Sequence, residues 1–292
     1  MLSVNQGESI EFSCQASDPD TQELVYTWYV NGEKVSDTHS YDFTEPGGEY
    51  TIILEVSDEI TTIYHQWNVT VLGVPNFEKI QERLERIRGL KFLKPVTRIE
   101  INREKLRENI MADLQDDRES ILLEHNLYVA LHVMDVEADL YELYLDMLTT
   151  QVASYYDTED HTFHEVLDPD TPVVYREFIA AHEFIHALQD QHYFLDREFE
   201  NDDEHLAFLC VVEGDAMLHQ YLYLDEMTEA EKEILFRYIG ALDIPVVNAF
   251  LENLIMLRYS LGLEFVTFMR ISGMDNLYEN PPCSTEQVMH PE

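Results

Sequence analysis

The hydrophobic periodicity changes once along this chain, and that change confines each part to a different kind of structure. From Glu8 to Leu72 apolar and polar residues alternate in short runs, SIEFSCQAS, LVYTWYV, EYTIILEVS and IYHQWNVTVL, set apart by turn-rich pieces such as DPDTQ, VNGEK and EPGGE. A period of two gives each run one core-facing side, as strands require. After Gly73, Val74 and Pro75 the spacing becomes helical, first in FEKIQERLERI and REKLRENIMADLQ, then from Val136 to Thr149. Further helices are expected at 173–193, 203–222, 228–239, 245–259 and 262–271. The run VASYYDTEDHTFHEV, residues 152–166, reads as two short strands joined at Thr158, Glu159 and Asp160. The expectation is a multidomain chain, with an N-terminal all-β sandwich over 1–74 and a C-terminal, helix-dominated α+β domain over 75–292.

Length and composition allow this. A chain of 292 residues with 45% hydrophobic and 11% aromatic residues has material for two packed cores. No run of 18 apolar residues occurs, so no membrane insertion is expected, and the start MLSVNQGESI lacks the basic and apolar regions of a signal peptide. The formal charge of −40 repels phosphate backbones and anionic lipid, which argues against nucleic acid as a partner. Basic residues cluster between Lys79 and Arg118, and the residues that follow, 119–292, are strongly acidic. The simplest reading is a solvated acidic surface of the kind suited to high salt, and the sharper alternative is an acidic cleft for cationic substrates. Cys14, Cys210 and Cys283 lie far apart and are odd in number, so neither a disulfide framework nor a thiolate metal site is indicated.

The chemistry concentrates in AAHEFIHALQDQH. HEFIH sets His182 and His186 four residues apart, on one face of a helix, where both imidazoles can reach one tetrahedral zinc ion. Glu183 lies beside the first ligand, placed to take a proton from an activated water and return it to a leaving amine. A catalytic zinc needs a third protein ligand. His192 has the metzincin spacing, but Gln189 stands where that pattern needs a glycine, and a continuous helix turns His192 about 240° from His186 and about 9 Å onward. Glu213, on a separate expected helix in LCVVEGDAMLHQ, is the favoured third ligand, with His192 the alternative. Asp190, one turn beyond His186, and Asp215 are candidates to orient the ligands from outside the metal shell. Ser284 to Gln287 fits a capping box, and His290 behind it is a candidate oxyanion stabiliser.

Two resemblances extend this reading. ASDPD, TWYVNG and GGEYTIILEVSD resemble the PKD-type immunoglobulin-like domain over about residues 1–73, with Trp28 at the position of the buried core tryptophan. That resemblance implies a spacer or attachment module, surface or matrix contact, and an extracellular or cell-surface location, with a cytoplasmic one left open. AAHEFIHALQDQHYFLD followed by VVEGDA resembles the gluzincin-type metallopeptidases of bacteria and archaea, as do VASYYDTEDHTFHEV, RGLKFLKPVTRIEINREKLRE and PPCSTEQVMHPE, over about residues 78–292. It implies one zinc per chain on His182, His186 and Glu213, with Glu183 as base and a peptide or protein as substrate. The thermolysin-type acid four residues after the glutamate ligand is replaced by Met217, and the sequence stops at Pro291 and Glu292 where the family continues with Lys and Tyr. Rival expectations are a catalytically inactive zinc-binding adhesion protein and a zinc amidase acting on cell-wall peptides.

Overall fold

The computed structural model describes residues 2–5, 9–19, 23–58, 60–168, 171–243 and 245–291. Asp20, Thr21 and Gln22 of the first expected turn and Glu292 of the last motif lie outside them. The chain divides into two compact units, Met1–Pro75 with Asp170–Val173, and Asn76–Pro169 with Val174–Glu292.

The first unit holds β1 (Leu2–Asn5), β2 (Ile10–Ser13), β3 (Val25–Val30), β4 (Glu33–Ser36), β5 (Ser40–Phe43), β6 (Gly48–Ser57) and β7 (Thr62–Leu72). Five of these form one sheet in the order β1-β7-β6-β3-β4, with β1 parallel to β7, while β2 and β5 pair only with each other. Trp28 is fully buried, shares its core with Phe12, Phe43 and Ile52, and donates its indole N–H to the Thr38 carbonyl at 2.8 Å. The expected immunoglobulin-like sandwich is not what forms. The ribbon of two four-residue strands adds Phe12 and Phe43 to that core but covers only part of a five-stranded sheet, so no closed second layer forms, and the unit also draws in residues from beyond position 169. The chain as a whole is a mixed α+β protein rather than an all-β domain followed by an α+β one.

The second unit contains α1 (Phe77–Arg88), β8 (Thr97–Ile101), α2 (Arg103–Asp116), α3 (Arg118–Ala130), α4 (Leu140–Gln151), β9 (Ser154–Asp157), β10 (Thr162–Val166), α5 (Val173–Tyr193), α6 (Asp202–Asp225), α7 (Glu229–Ala241), α8 (Ala249–Met269), α9 (Met274–Glu279) and α10 (Thr285–Met289). The hairpin β9–β10 forms as expected, and β8 joins it in parallel, giving the order β8-β10-β9 with β9 at an edge. Where the sequence pattern suggests two helices over 245–271, a single α8 runs. The intervening Gly262 is not a break but a crossing point, because a Cβ there would sit 2.3 Å from the Cys210 carbonyl oxygen of α6. The reciprocal residue is Gly214, where a Cβ would sit 2.2 Å from the Gly262 carbonyl oxygen. Two glycines facing each other therefore let α6 and α8 pack backbone to backbone, closer than the usual 8–10 Å between helix axes allows with side chains at the contact.

Helix α5 buries Ala180, Ala181, Phe184, Ile185 and Leu188, and Phe184 meets Phe163 of β10 at 5.2 Å between ring centroids. Asn201 caps α6 by accepting from the Glu204 amide, and Asp202, Asp203 and Glu204 complement the positive end of its dipole. Among the described residues, no helix is long and apolar enough to cross a membrane.

Candidate metal centre

His182 and His186 project from one face of α5, and Glu213 reaches them from α6. The three donor atoms form a triangle: His182 Nε2 to His186 Nε2 is 3.1 Å, His182 Nε2 to Glu213 Oε2 is 3.2 Å, and His186 Nε2 to Glu213 Oε2 is 3.4 Å. A tetrahedral zinc ion bonded at about 2.0–2.1 Å separates its ligand atoms by about 3.3–3.4 Å, so these edges fit such an ion with little adjustment. The chemistry of the set agrees, since two imidazoles and one carboxylate suit a borderline-soft divalent ion. His182 and Glu213 are both buried, each 8% exposed.

The tautomer of His186 follows from its neighbour. Gln189 is fully buried, and its amide Nε2 donates to the Val212 carbonyl at 2.9 Å and to Asp215 Oδ2 at 3.2 Å. With its amide fixed in this way, Oε1 must face His186 Nδ1, 2.9 Å away. In the neutral ring that binds a metal, Nδ1 then carries the proton and Nε2 turns its lone pair to the triangle. Asp215 is itself held by Arg88 Nε at 3.2 Å and by the Tyr278 hydroxyl at 2.7 Å, with His219 Nδ1 2.8 Å away. Burial alone would raise the Asp215 pKa, but His219 and Arg88 outweigh it and hold the carboxyl at about 2. Asp215 thus supports the site from behind, through Gln189. Asp190 does not fill the orienting role expected of it toward the ligand pair. It accepts from the Tyr156 hydroxyl at 2.9 Å and lies 2.7 Å from His161 Nδ1.

Electrostatics couple the triangle tightly. Burial works against charge on Glu213, yet hydrogen bonds and charge from His182 and His186 hold its carboxyl well below the usual range. Burial likewise opposes charge on His186, and the Glu213 carboxylate overrides it, raising the imidazole to about 9. Glu183, between the two histidines in sequence, has its pKa raised by burial in spite of both imidazoles. Its Oε2 accepts the Tyr156 amide at 2.9 Å, which fixes the carboxylate against the edge strand β9.

The remaining expected residues lie elsewhere. His192 points its Nε2 at the Lys91 carbonyl, 2.8 Å away, and takes no part in the triangle. His290 sits at the end of α10 with Glu286 as its ion partner at 3.8 Å, its side chain largely exposed. It lines a cavity with Pro282 and Cys283 that includes none of the triangle residues. The capping box does not form: Gln287 accepts from the Cys283 amide, one residue before the N-cap, and Ser284 makes no side-chain cap bond.

Sequence reasoning missed three neighbours of the centre. Gln189 reads in the sequence only as a missing glycine. Arg258 of α8, half-buried, holds its buried Nε 3.6 Å from Glu213 Oε1 with no hydrogen-bond acceptor for that atom, and Tyr259 places its ring 6.2 Å from that of His182. Burial alone would lower the Arg258 pKa, but Tyr259 and Glu213 raise it overall, so the guanidinium stays charged. The available signal was that Arg258 is the lone cation of an otherwise neutral and acidic 21-residue helix. An open cavity of about 450 Å³ adjoins the centre, lined by Tyr156, His186, Phe199, His205, Phe208 and Val212 among others.

No family model matches this chain, and no curated protein matches it. Among solved structures, a quinonprotein alcohol dehydrogenase-like protein from Bacteroides thetaiotaomicron is similar in part, at 14% identity and a TM-score of 0.22, covering 24% of this chain and 17% of that one. This chain spans less than a fifth of that protein's length, and a likeness of this size carries no argument about fold or function.

Proposed function

We propose that this chain is a zinc-dependent peptidase whose centre is held by His182, His186 and Glu213. The observation that carries the reading is the donor triangle with edges of 3.1–3.4 Å, set beside a carboxylate that is not part of it, Glu183. A zinc ion held there would act as a Lewis acid toward a carbonyl and lower the pKa of water toward about 7.

The protein's own groups account for the rest. Glu183, with a raised pKa and one oxygen pinned by the Tyr156 amide, keeps its other oxygen available to accept a proton and to pass it to a leaving amine. Gln189 and Asp215 fix the His186 ring, and Arg258 balances the charge of Glu213, so the site keeps its shape through a reaction cycle. The adjoining cavity, walled by Phe199 and Phe208, is of a size to receive apolar side chains of a peptide. An extracellular or cell-surface setting belongs to the same proposal and rests on the sequence motifs of residues 1–73 alone, not on an immunoglobulin-like fold.

Glu183→Gln tests the reading. The variant should retain zinc and lose hydrolysis of an unfolded protein or peptide library by about 100-fold or more. Undiminished cleavage by a clean preparation of the variant would remove Glu183 from its role. Cleavage of cell-wall peptides, with none of the protein or peptide library, would move the substrate class to an amidase.

A further inference from the structure

The β9–β10 hairpin presents different chemistry on its two faces. Side chains alternate along each strand, and the register pairs Tyr156 with Phe163, Tyr155 with His164, and Asp157 with Thr162. Phe163 packs on Phe184 of α5 and the Tyr156 hydroxyl reaches Asp190, so that face belongs to the metal centre already described. The opposite face carries Tyr155, Asp157 and His164, and it meets α2, where Asn109 Nδ2 donates to the Tyr155 hydroxyl at 2.8 Å.

His164 is the anomaly on this face. It is 7% exposed, its ring stacks on Tyr155 at 4.6 Å with the planes 3° apart, and neither Nδ1 nor Nε2 has a hydrogen-bond partner. A buried polar group left unsatisfied carries its full desolvation penalty, and native proteins leave one so only for a reason. Asp160 of the turn places its Oδ2 3.7 Å from Nε2, too far for a hydrogen bond but suited to a shared ion. One donor atom from each of Asp157, Asp160 and His164 lies within 4.8 Å of the others. Among the described residues, neither aspartate has a lysine or arginine partner. Asp113 of α2 feels the same excess of negative charge, its pKa raised by burial and then by Asp157, Glu159, Asp116 and Asp117.

We propose that Asp157, Asp160 and His164 form a second metal site, which takes a divalent transition ion of the zinc or manganese kind and clasps the turn between β9 and β10. The imidazole selects against calcium and magnesium, which prefer all-oxygen shells, while one imidazole and two carboxylates suit zinc or manganese. An ion there satisfies the buried imidazole and neutralises the paired aspartates in one step. It also stiffens β9, the strand whose Tyr156 amide holds Glu183, although the site itself stands independently of the peptidase reading.

Equilibrium dialysis of the full chain against zinc and against manganese, with the ion content measured afterwards, tests the site. The wild type should bind about two zinc ions per chain, and His182→Ala should keep about one. Asp160→Asn changes an exposed turn residue and should fold normally; it should weaken the remaining ion by about tenfold or more, and His164→Asn should do the same. Cobalt substituted into the His182→Ala chain should show one imidazole among its ligands by X-ray absorption. Binding of a single ion that disappears in His182→Ala would overturn the hairpin site while leaving the peptidase reading standing. A second ion indifferent to both Asp160→Asn and His164→Asn would overturn it as well. A single ion that survives His182→Ala and is lost in Asp160→Asn would support the hairpin site and count against the other.

Discussion

The α6–α8 crossing gives a sharp prediction at Gly214. A Cβ added there would lie 2.2 Å from the Gly262 carbonyl oxygen, 2.3 Å from its carbon and 2.9 Å from Val266 Cγ2. Ordinary carbon–oxygen contact needs about 3.2 Å or more, so the two helices must part by about 1 Å in an interior packed to crystal-like density. The obstruction is backbone, which cannot rotate away as a side chain could. Replacing glycine by alanine inside a helix should by itself stabilise by about 0.8–1.0 kcal/mol, whereas overpacking a tight core costs about 1–3 kcal/mol and more when backbone must move. With backbone as the obstruction the upper part of that range applies, about 2–3 kcal/mol, so the net for Gly214→Ala is a loss of about 1–2 kcal/mol, which for a unit of this size lowers the melting temperature by about 2–8 °C. Because Gly214 follows Glu213 directly and α8 carries Arg258, the same shift should weaken zinc binding. Gly240→Ala, in α7 with nothing within 4 Å of the new atom, is the control and should be neutral or stabilising. Calorimetry of the two variants decides the matter: a Gly214→Ala protein that melts at or above the wild type would refute the close-crossing argument.

Two other perturbations follow from the site. Gln189→Ala frees His186 Nδ1, and competition with a chelator should show zinc held about 10–100-fold more weakly; unchanged affinity would mean that the amide does not orient the ring. Asp215 has a folded pKa of about 2 against an ordinary value of 3.8, so its contribution to stability is present above pH 4 and is lost as the pH falls from about 4 to 2. That shift corresponds to about 2 kcal/mol, so urea unfolding should find Asp215→Asn destabilised at pH 6 and the gap from wild type mostly closed near pH 2; a gap that does not narrow would contradict the linkage.

What the sequence disclosed and what it hid have a common physical basis. Helices α1, α2 and α5 were legible from apolar residues at helical spacing within a single stretch of chain, and the β9–β10 hairpin from two short aromatic-containing runs flanking Thr158, Glu159 and Asp160. Helix α3 was not, since Leu122, Leu123 and Leu127 are apolar yet exposed and blur its pattern. Strand β8 was missed because its five residues, TRIEI, gain their meaning only from pairing with β10, more than 60 residues away. The same limit explains the misjudged N-terminal architecture. Alternation tells which face of a strand is buried, but not that β2 and β5 pair with each other alone and leave five strands in one sheet.

The centre divides in the same way. His182, His186 and Glu183 were readable from spacing on one helix, and Glu213 from the need for a third ligand on another. Gln189, Arg258 and Tyr259 act across helices, and in the sequence they look like ordinary residues of helix faces. Asp190 shows the converse error. Its position one turn beyond His186 suggested an orienting bond, but its side chain swings toward the hairpin, to Tyr156 and His161.

The most direct test of the central claim is zinc content measured in the Asp160→Asn background, where the hairpin aspartate is removed and only the α5–α6 triangle should hold metal tightly. Elemental analysis should find about one zinc per chain, and adding either His182→Ala or Glu213→Ala should bring it to near zero. Zinc retained at full stoichiometry in both of those variants would contradict the account.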